Sequence, residues 1–247
     1  MRVVGITGTK NSGKTTLVTM IIPELIKRGY TVGTIKKTHS QFDTEGRDTE
    51  KHSTSGAKVV AGVGEETFFK LNKKMELDEI LKFMKELETL DFIILEGFKE
   101  SPYIKIATAN YDDSDKTIIK VVDVNKINRK SPNDKLLNEI IELIENRSYG
   151  IMQKLNCKKC GYNTCDEFRH SKIKGSIDKK IQCLVDIDDA ILKVDGELIP
   201  MNPFVKKLIR NITSSLVDSL RTGEFGAESI EKIELTVKNN PQDENEN

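Results

Sequence analysis

The chain has 247 residues and a mass of 27.9 kDa, enough for one large core or for a domain of about 150 residues beside a smaller one. Lys plus Arg and Asp plus Glu are equal at 39 each, so although 32% of residues are charged, no global imbalance argues for a nucleic-acid or membrane partner. The apolar runs are short and the N-terminus shows neither a signal-peptide core nor a spanning segment, so a soluble, cytoplasmic protein is expected.

Taken in chain order, Arg2 to Thr7 is an apolar run without alternation, the pattern of a strand buried on both faces, and GTKNSGKTTL turns from it directly into a helix over 14–28. Pro23 inside that helix predicts a kink or break, and Gly29 ends it. YTVGTIKK is a second strand. The polar stretch from Thr38 to Ala57 reads as a long functional loop. KVVAGVG and ETFFKL read as strands, and ELDEILKFMKELE as a helix with Leu77, Ile80, Leu81, Met84 and Leu87 on one face. LDFIILEGF, YIKIAT and TIIKVVD are further strands, and KLLNEIIELIENR is one more helix. This alternation predicts a doubly wound sheet with ligands at the carboxyl ends of its strands.

After Tyr149 the texture changes. A cysteine module spans 155–184, and DAILKVDGELIPM follows as two apolar runs about Asp195-Gly196, a hairpin signal. Asn202-Pro203 opens a helix whose Phe204, Val205, Leu208, Ile209, Ile212, Leu216 and Leu220 form one stripe, expected to pack on the hairpin. SIEKIELTV reads as a final strand. The predicted division is a nucleotide-binding domain over 1–149, the four-cysteine module over 150–185, the hairpin and helix over 186–238 and a polar tail over 239–247.

Gly8-Thr9-Lys10-Asn11-Ser12-Gly13-Lys14-Thr15 matches G-x-x-x-x-G-K-[ST] at every fixed position, between a strand and a helix as the chemistry requires, and Thr16 extends it into the helix. The glycines let backbone N–H groups wrap phosphates at a helix N-terminus, Lys14 supplies a point charge for the β and γ oxygens, and the Thr15 hydroxyl is a ligand for Mg²⁺. Such a site needs an acidic partner at the end of a buried strand. Glu96, after FIIL, stands there, with Asp91 at the strand's start as the weaker candidate. Asp43 and Asp48, in the polar stretch, are candidates for the γ-phosphate side. Asn125-Lys126-Ile127-Asn128 is an imperfect version of a guanine-reading N-K-x-D, because an Asn replaces the carboxylate; Asp123 is the nearby alternative.

GITGTKNSGKTTL, IKKTHSQFDTEGRDTEKHSTSGA and FIILEGFKESPYIKI, in that order, resemble the MobB family of molybdopterin-guanine dinucleotide biosynthesis adapters over about residues 1–125. The resemblance implies an α/β P-loop NTPase fold of the SIMIBI class, a mostly parallel sheet with helices on both faces, here followed by a smaller C-terminal α+β part carrying a metal or iron–sulfur module. It further implies GTP as ligand, weak GTPase activity, Lys14, Asp48 and Glu96 as the catalytic and metal-side groups, and Lys36 to His39 as a basic segment. The partners implied are a MobA-like guanylyltransferase or molybdopterin-carrying proteins, with a homodimer open to it. The histidine-rich K-H-T-H-H-D usual in the family is Lys36-Lys37-Thr38-His39-Ser40-Gln41 here, so roles of those extra histidines are not carried over.

Cys157, Cys160, Cys165 and Cys183 are the chain's four cysteines, spaced C-x2-C-x4-C-x17-C. In a reducing compartment a cluster of thiols points to metal, either Zn²⁺ or an iron–sulfur cluster, and the second close couple of a zinc ribbon is missing. CKKCGYNTCDEF with a distal fourth cysteine resembles the small four-cysteine domain of corrinoid and electron-transfer iron–sulfur proteins, which implies a [4Fe-4S] cluster; Cys183-Leu184 departs from the proline and glycine common there. From 151 to 183 there are eight Lys or Arg against three Asp or Glu, cations that would offset thiolate charge around either metal. Two functions of other classes compete with the adapter: an iron–sulfur redox or docking module gated by a nucleotide switch, and a ligase or kinase of the dethiobiotin synthetase type.

Overall fold

A computed structural model describes residues 1–38, 47–108, 115–128, 134–152, 154–177, 181–183, 190, 192–194, 197–199, 201–220, 233, 235 and 237. Along these run β1 (Arg2–Thr7), α1 (Lys14–Lys27), β2 (Val32–Lys36), α2 (Asp48–Thr54), β3 (Val59–Val63), β4 (Thr67–Leu71), α3 (Leu77–Leu87), β5 (Phe92–Glu96), β6 (Lys105–Thr108), β7 (Ile118–Val122), α4 (Lys135–Arg147), α5 (Cys165–Lys174), β8 (Leu192–Val194), β9 (Glu197–Ile199) and α6 (Pro203–Asp218).

The uninterrupted apolar runs become the centre of a five-stranded parallel sheet in the order β2-β5-β1-β6-β7. β1 and β5 are buried almost end to end, which requires cover on both faces. Leu17, Val18, Ile21 and Leu25 of α1, Leu81 of α3 and Ile140, Ile141 and Ile144 of α4 join that core. α1 is not broken at Pro23: its buried residues lie on both sides of the proline, and their burial holds the helix through one missing backbone donor. β3 and β4 stand apart as an antiparallel two-stranded sheet. The polar stretch read as a loop contains α2, which places Asp48 and Glu50 in its first turn and fixes buried Ser53 against Asn72 through a 2.6 Å hydrogen bond.

Residues 1–186 form one compact unit and 187–247 a second. In the first, the chain leaving α4 crosses the start of β1, where Val3 N donates to Tyr149 O (3.0 Å) and Arg2 Nη1 to Glu145 O (3.0 Å). α5 then packs against α4. Its Phe168 is 1% exposed and belongs to the same core as the sheet. In the second unit, β8 and β9 pair with Val194 opposite Glu197, the register expected for a turn at Asp195-Gly196, and Asn202 caps α6 by accepting from Val205 N (3.0 Å). The apolar stripe of α6 is not covered as expected: Phe204 is 73% and Ile212 60% exposed. Three-residue strands offer too little surface to bury it. Most of SIEKIELTV and the whole tail lie outside the described residues.

Candidate functional site

The phosphate loop hangs from the carboxyl end of β1, the central strand, and leads into α1. Gly8 (φ 150°) and Gly13 (φ 87°) hold backbone conformations that L side chains rarely adopt, and the packing excludes a substituent as well. A Cβ on Gly8 would lie 2.0 Å from Thr108 Oγ1, and one on Gly13 3.1 Å from Val124 Cγ2. The loop is folded on itself: Lys14 Nζ donates to Thr9 O (2.5 Å), Ser12 Oγ donates to Thr9 O (2.8 Å), and the Ser12 and Thr108 hydroxyls share a hydrogen bond.

Glu96 ends β5, in register with Ile6 of β1 on one side and Lys36 of β2 on the other. That register brings three side chains from distant parts of the chain together. Thr15 Oγ1 donates to Glu96 Oε1 (2.7 Å), and Lys36 Nζ lies 3.2 Å from the same carboxylate oxygen and 3.4 Å from Thr15 Oγ1. A hydroxyl on the first helical turn beside a carboxylate at a strand end is a hard-oxygen pair suited to Mg²⁺ next to phosphates.

The other acidic candidates fall elsewhere. Asp91 accepts from Thr31 N and Thr31 Oγ1 at the opposite end of β5, a strand-start cap. Asp48 is exposed and paired with Lys51 of its own helix (3.0 Å). Asp43 and His39 lie outside the described residues. Asp123 caps a 3-10 turn, Val124–Lys126, by accepting from Asn125 N (3.1 Å), and Asn128 N donates to Asp134, the cap of α4. Backbone donors from Asn128 and Leu137 hold the Asp134 carboxyl below its ordinary range. The contact of Val124 with Gly13 sets this segment beside the phosphate loop. Thr108, Val124 and the contact of Lys36 with Glu96 had no local sequence signal; each arises only from strand order.

The four cysteines line one pocket, together with Leu155, Asn156, Tyr162 and Phe168. Thr164 caps α5 by accepting from Glu167 N (3.1 Å), which sets Cys165 at the first position of the helix. Across the pocket, Asn156 Oδ1 accepts from Cys165 N (2.9 Å). Lys154 (φ 50°), Asn156 (φ 47°), Lys158 (φ 60°) and Gly161 (φ 85°) are left-handed, so the cysteine loop interleaves left-handed residues with others. Non-glycine residues keep such angles only where their surroundings impose them. Among the described residues no three His, Cys, Asp or Glu side chains are gathered closely enough to hold a single metal ion. Arg2, Tyr149 and Cys183 line a neighbouring pocket, so the thiols sit by the start of β1, one strand length, about 20 Å, from the phosphate loop at its end. Burial raises the Tyr149 hydroxyl well above the usual tyrosine range, and the hydroxyl donates a hydrogen bond to Pro102 O.

Comparison with known proteins finds relatives of both parts of the chain. The family profile "Molybdopterin guanine dinucleotide synthesis protein B" (MobB) matches residues 3–127, and one described as "Putative Fe-S cluster" matches 152–183. A "Putative molybdopterin-guanine dinucleotide biosynthesis adapter protein" of Methanocaldococcus jannaschii is 31% identical over 251 residues, 96% of this chain and 98% of that one. The adapter protein of Haemophilus influenzae is 37% identical over 107 residues, 41% of this chain and 60% of its own length. A crystal structure of Bacillus subtilis MobB, at 29% identity, covers 43% of this chain and 67% of its own with a TM-score of 0.38.

Proposed function

The chain belongs to the MobB family, and on that premise we propose that it is a GTP-binding, slowly hydrolysing adapter in molybdopterin-guanine dinucleotide biosynthesis, with a [4Fe-4S] cluster held by Cys157, Cys160, Cys165 and Cys183. The observation that carries the nucleotide reading is the 2.7 Å contact between Thr15 and Glu96 beside the phosphate loop. When triphosphate enters, Lys14 exchanges Thr9 O for phosphate oxygens, and backbone N–H groups of the loop and the start of α1 take the remaining charge. Thr15 and Glu96 would hold Mg²⁺, whose role is to neutralise charge between the β- and γ-phosphates. Slow turnover without a partner such as a MobA-like guanylyltransferase is part of this proposal.

For the thiol pocket, four cysteines lining one concavity, within the stretch matched by the profile described as "Putative Fe-S cluster", support an iron–sulfur cluster over one Zn²⁺. Such a cluster, when bound, carries a single electron. Calorimetric titration of anaerobically purified protein with GTP and ATP, with and without Mg²⁺, tests the nucleotide part, and iron and sulfide analysis tests the other. Tight GTP binding that Lys14→Ala abolishes is expected. Equal affinity in the variant overturns the phosphate-loop assignment, and preference for ATP favours the ligase or kinase class. A second reading, a redox or docking module gated by the nucleotide, is favoured by the packing of Phe168 into the core of the sheet; a cluster spectrum that changes on GTP binding is its mark.

A further inference from the structure

Lys36 stands in an unusual place for a lysine near a phosphate site: its ammonium faces the metal-side pair and not the loop. The Glu96 side chain is 12% exposed, and a carboxylate that far from water is stabilised by a nearby cation or by several hydrogen-bond donors. Thr15 Oγ1 gives it one hydrogen bond, and Lys36 Nζ supplies the charge at 3.2 Å while also lying 3.4 Å from the Thr15 oxygen. The two oxygens that would bind Mg²⁺ are therefore already in contact with one ammonium. Lys36 is half exposed and carried on the last residue of β2, so its side chain can leave without disturbing the core.

Resting on the nucleotide reading above, we infer that Lys36 is a built-in cation for the Thr15–Glu96 pair: it stands in for Mg²⁺ when none is bound and is released from the pair when the metal occupies it. A triphosphate would then bind with only moderate dependence on Mg²⁺, because the site never lacks a positive charge.

The test is titration of the full-length chain with a non-hydrolysable GTP analogue, once in Mg²⁺ and once in EDTA. Lys36→Met keeps the length of the side chain and removes the charge. It is expected to weaken binding in EDTA more than in Mg²⁺, raising the ratio of the two dissociation constants about tenfold, as loss of one charged hydrogen bond implies. Lys36→Arg should return the ratio most of the way to its starting value. A ratio unmoved by Lys36→Met, with affinity lowered equally in both buffers or in neither, overturns the inference and leaves the phosphate loop standing. Failure of the unaltered chain to bind the analogue in either buffer removes the nucleotide reading and this inference together.

Discussion

The two ends of β1 are built by different physics. At its carboxyl end the phosphate loop rests on strands and helices whose buried Val, Ile, Leu and Phe side chains interlock in one core, so the loop is positioned without any help from a ligand. At its amino end, of the described residues from 154 to 183, Phe168 and Lys172 alone are fully buried, Cys160, Tyr162, Ile173, Ile177 and Cys183 are only partly buried against the same core, and a helix cap and a few local hydrogen bonds hold much of the rest. A segment that poor in apolar burial gains from a staple, and the proposed metal centre would supply one. The contrast implies that ligand removal should matter little for the fold of one region and a great deal for the other.

The sharpest way to break that contrast is at the thiols. Cys157→Ser is expected to abolish the cluster's visible absorption and melt the module, while GTP affinity stays within about 0.5 kcal/mol because the sites are a strand length apart. A matching loss of nucleotide affinity would mean that the cluster also shapes the phosphate loop.

Next in size is Phe168→Ala. Phe168 is where the module enters the common core, so its truncation should cost about 3–5 kcal/mol and lower the urea midpoint of cluster loss and of nucleotide-domain unfolding together. Two transitions with only the cluster signal shifted would show that the module folds as a domain of its own, as a division at residue 150 supposes.

A buried charge tests the nucleotide region by itself. Lys105 is 2% exposed and pairs with Asp115 at 2.6 Å, with Thr117 Oγ1 at 2.8 Å. Asp115→Ala leaves that ammonium without its counter-charge and should cost about 3 kcal/mol, the low end for such pairs because Asp115 is partly exposed. Burial alone would raise the Asp115 carboxyl, but hydrogen bonds from Lys105 and Thr117 and the Lys105 charge outweigh it and hold it below the ordinary value. A carboxyl lowered on folding contributes stability above its unfolded pKa and loses it as pH falls through the folded one. Stability should therefore decline below about pH 4, and Asp115→Asn should flatten that acid limb in a pH series of chemical denaturation.

The smallest effects come from matched helix caps. Asp134→Ala on α4 removes the acceptor of Leu137 N and Asn128 N, Thr164→Ala on α5 removes that of Glu167 N, and each should cost about 1–2 kcal/mol. The second should also slow cluster incorporation, since Thr164 sets Cys165 at the helix start; equal incorporation rates would show that the thiols are placed by the metal and not by the cap.

Much of this protein was legible because it is written locally. Strand, glycine loop and helix follow one another within the first 27 residues, the hairpin and the α6 cap are dipeptide signals, and the cysteine spacing marks out the segment that the "Putative Fe-S cluster" profile matches. α2 was hidden because its polar residues carry no apolar period, and α5 because Cys165 and the charged residues of its sequence mask one. What only the tertiary structure decided is which distant residues meet: Lys36, Glu96 and Thr15 at one edge, Thr108 and Val124 against the glycines of the loop, Phe168 within the sheet's core. Period and spacing report the face a residue presents on its own element. The order β2-β5-β1-β6-β7 is set by how several apolar faces bury one another at once, and no single stretch of sequence carries that sum.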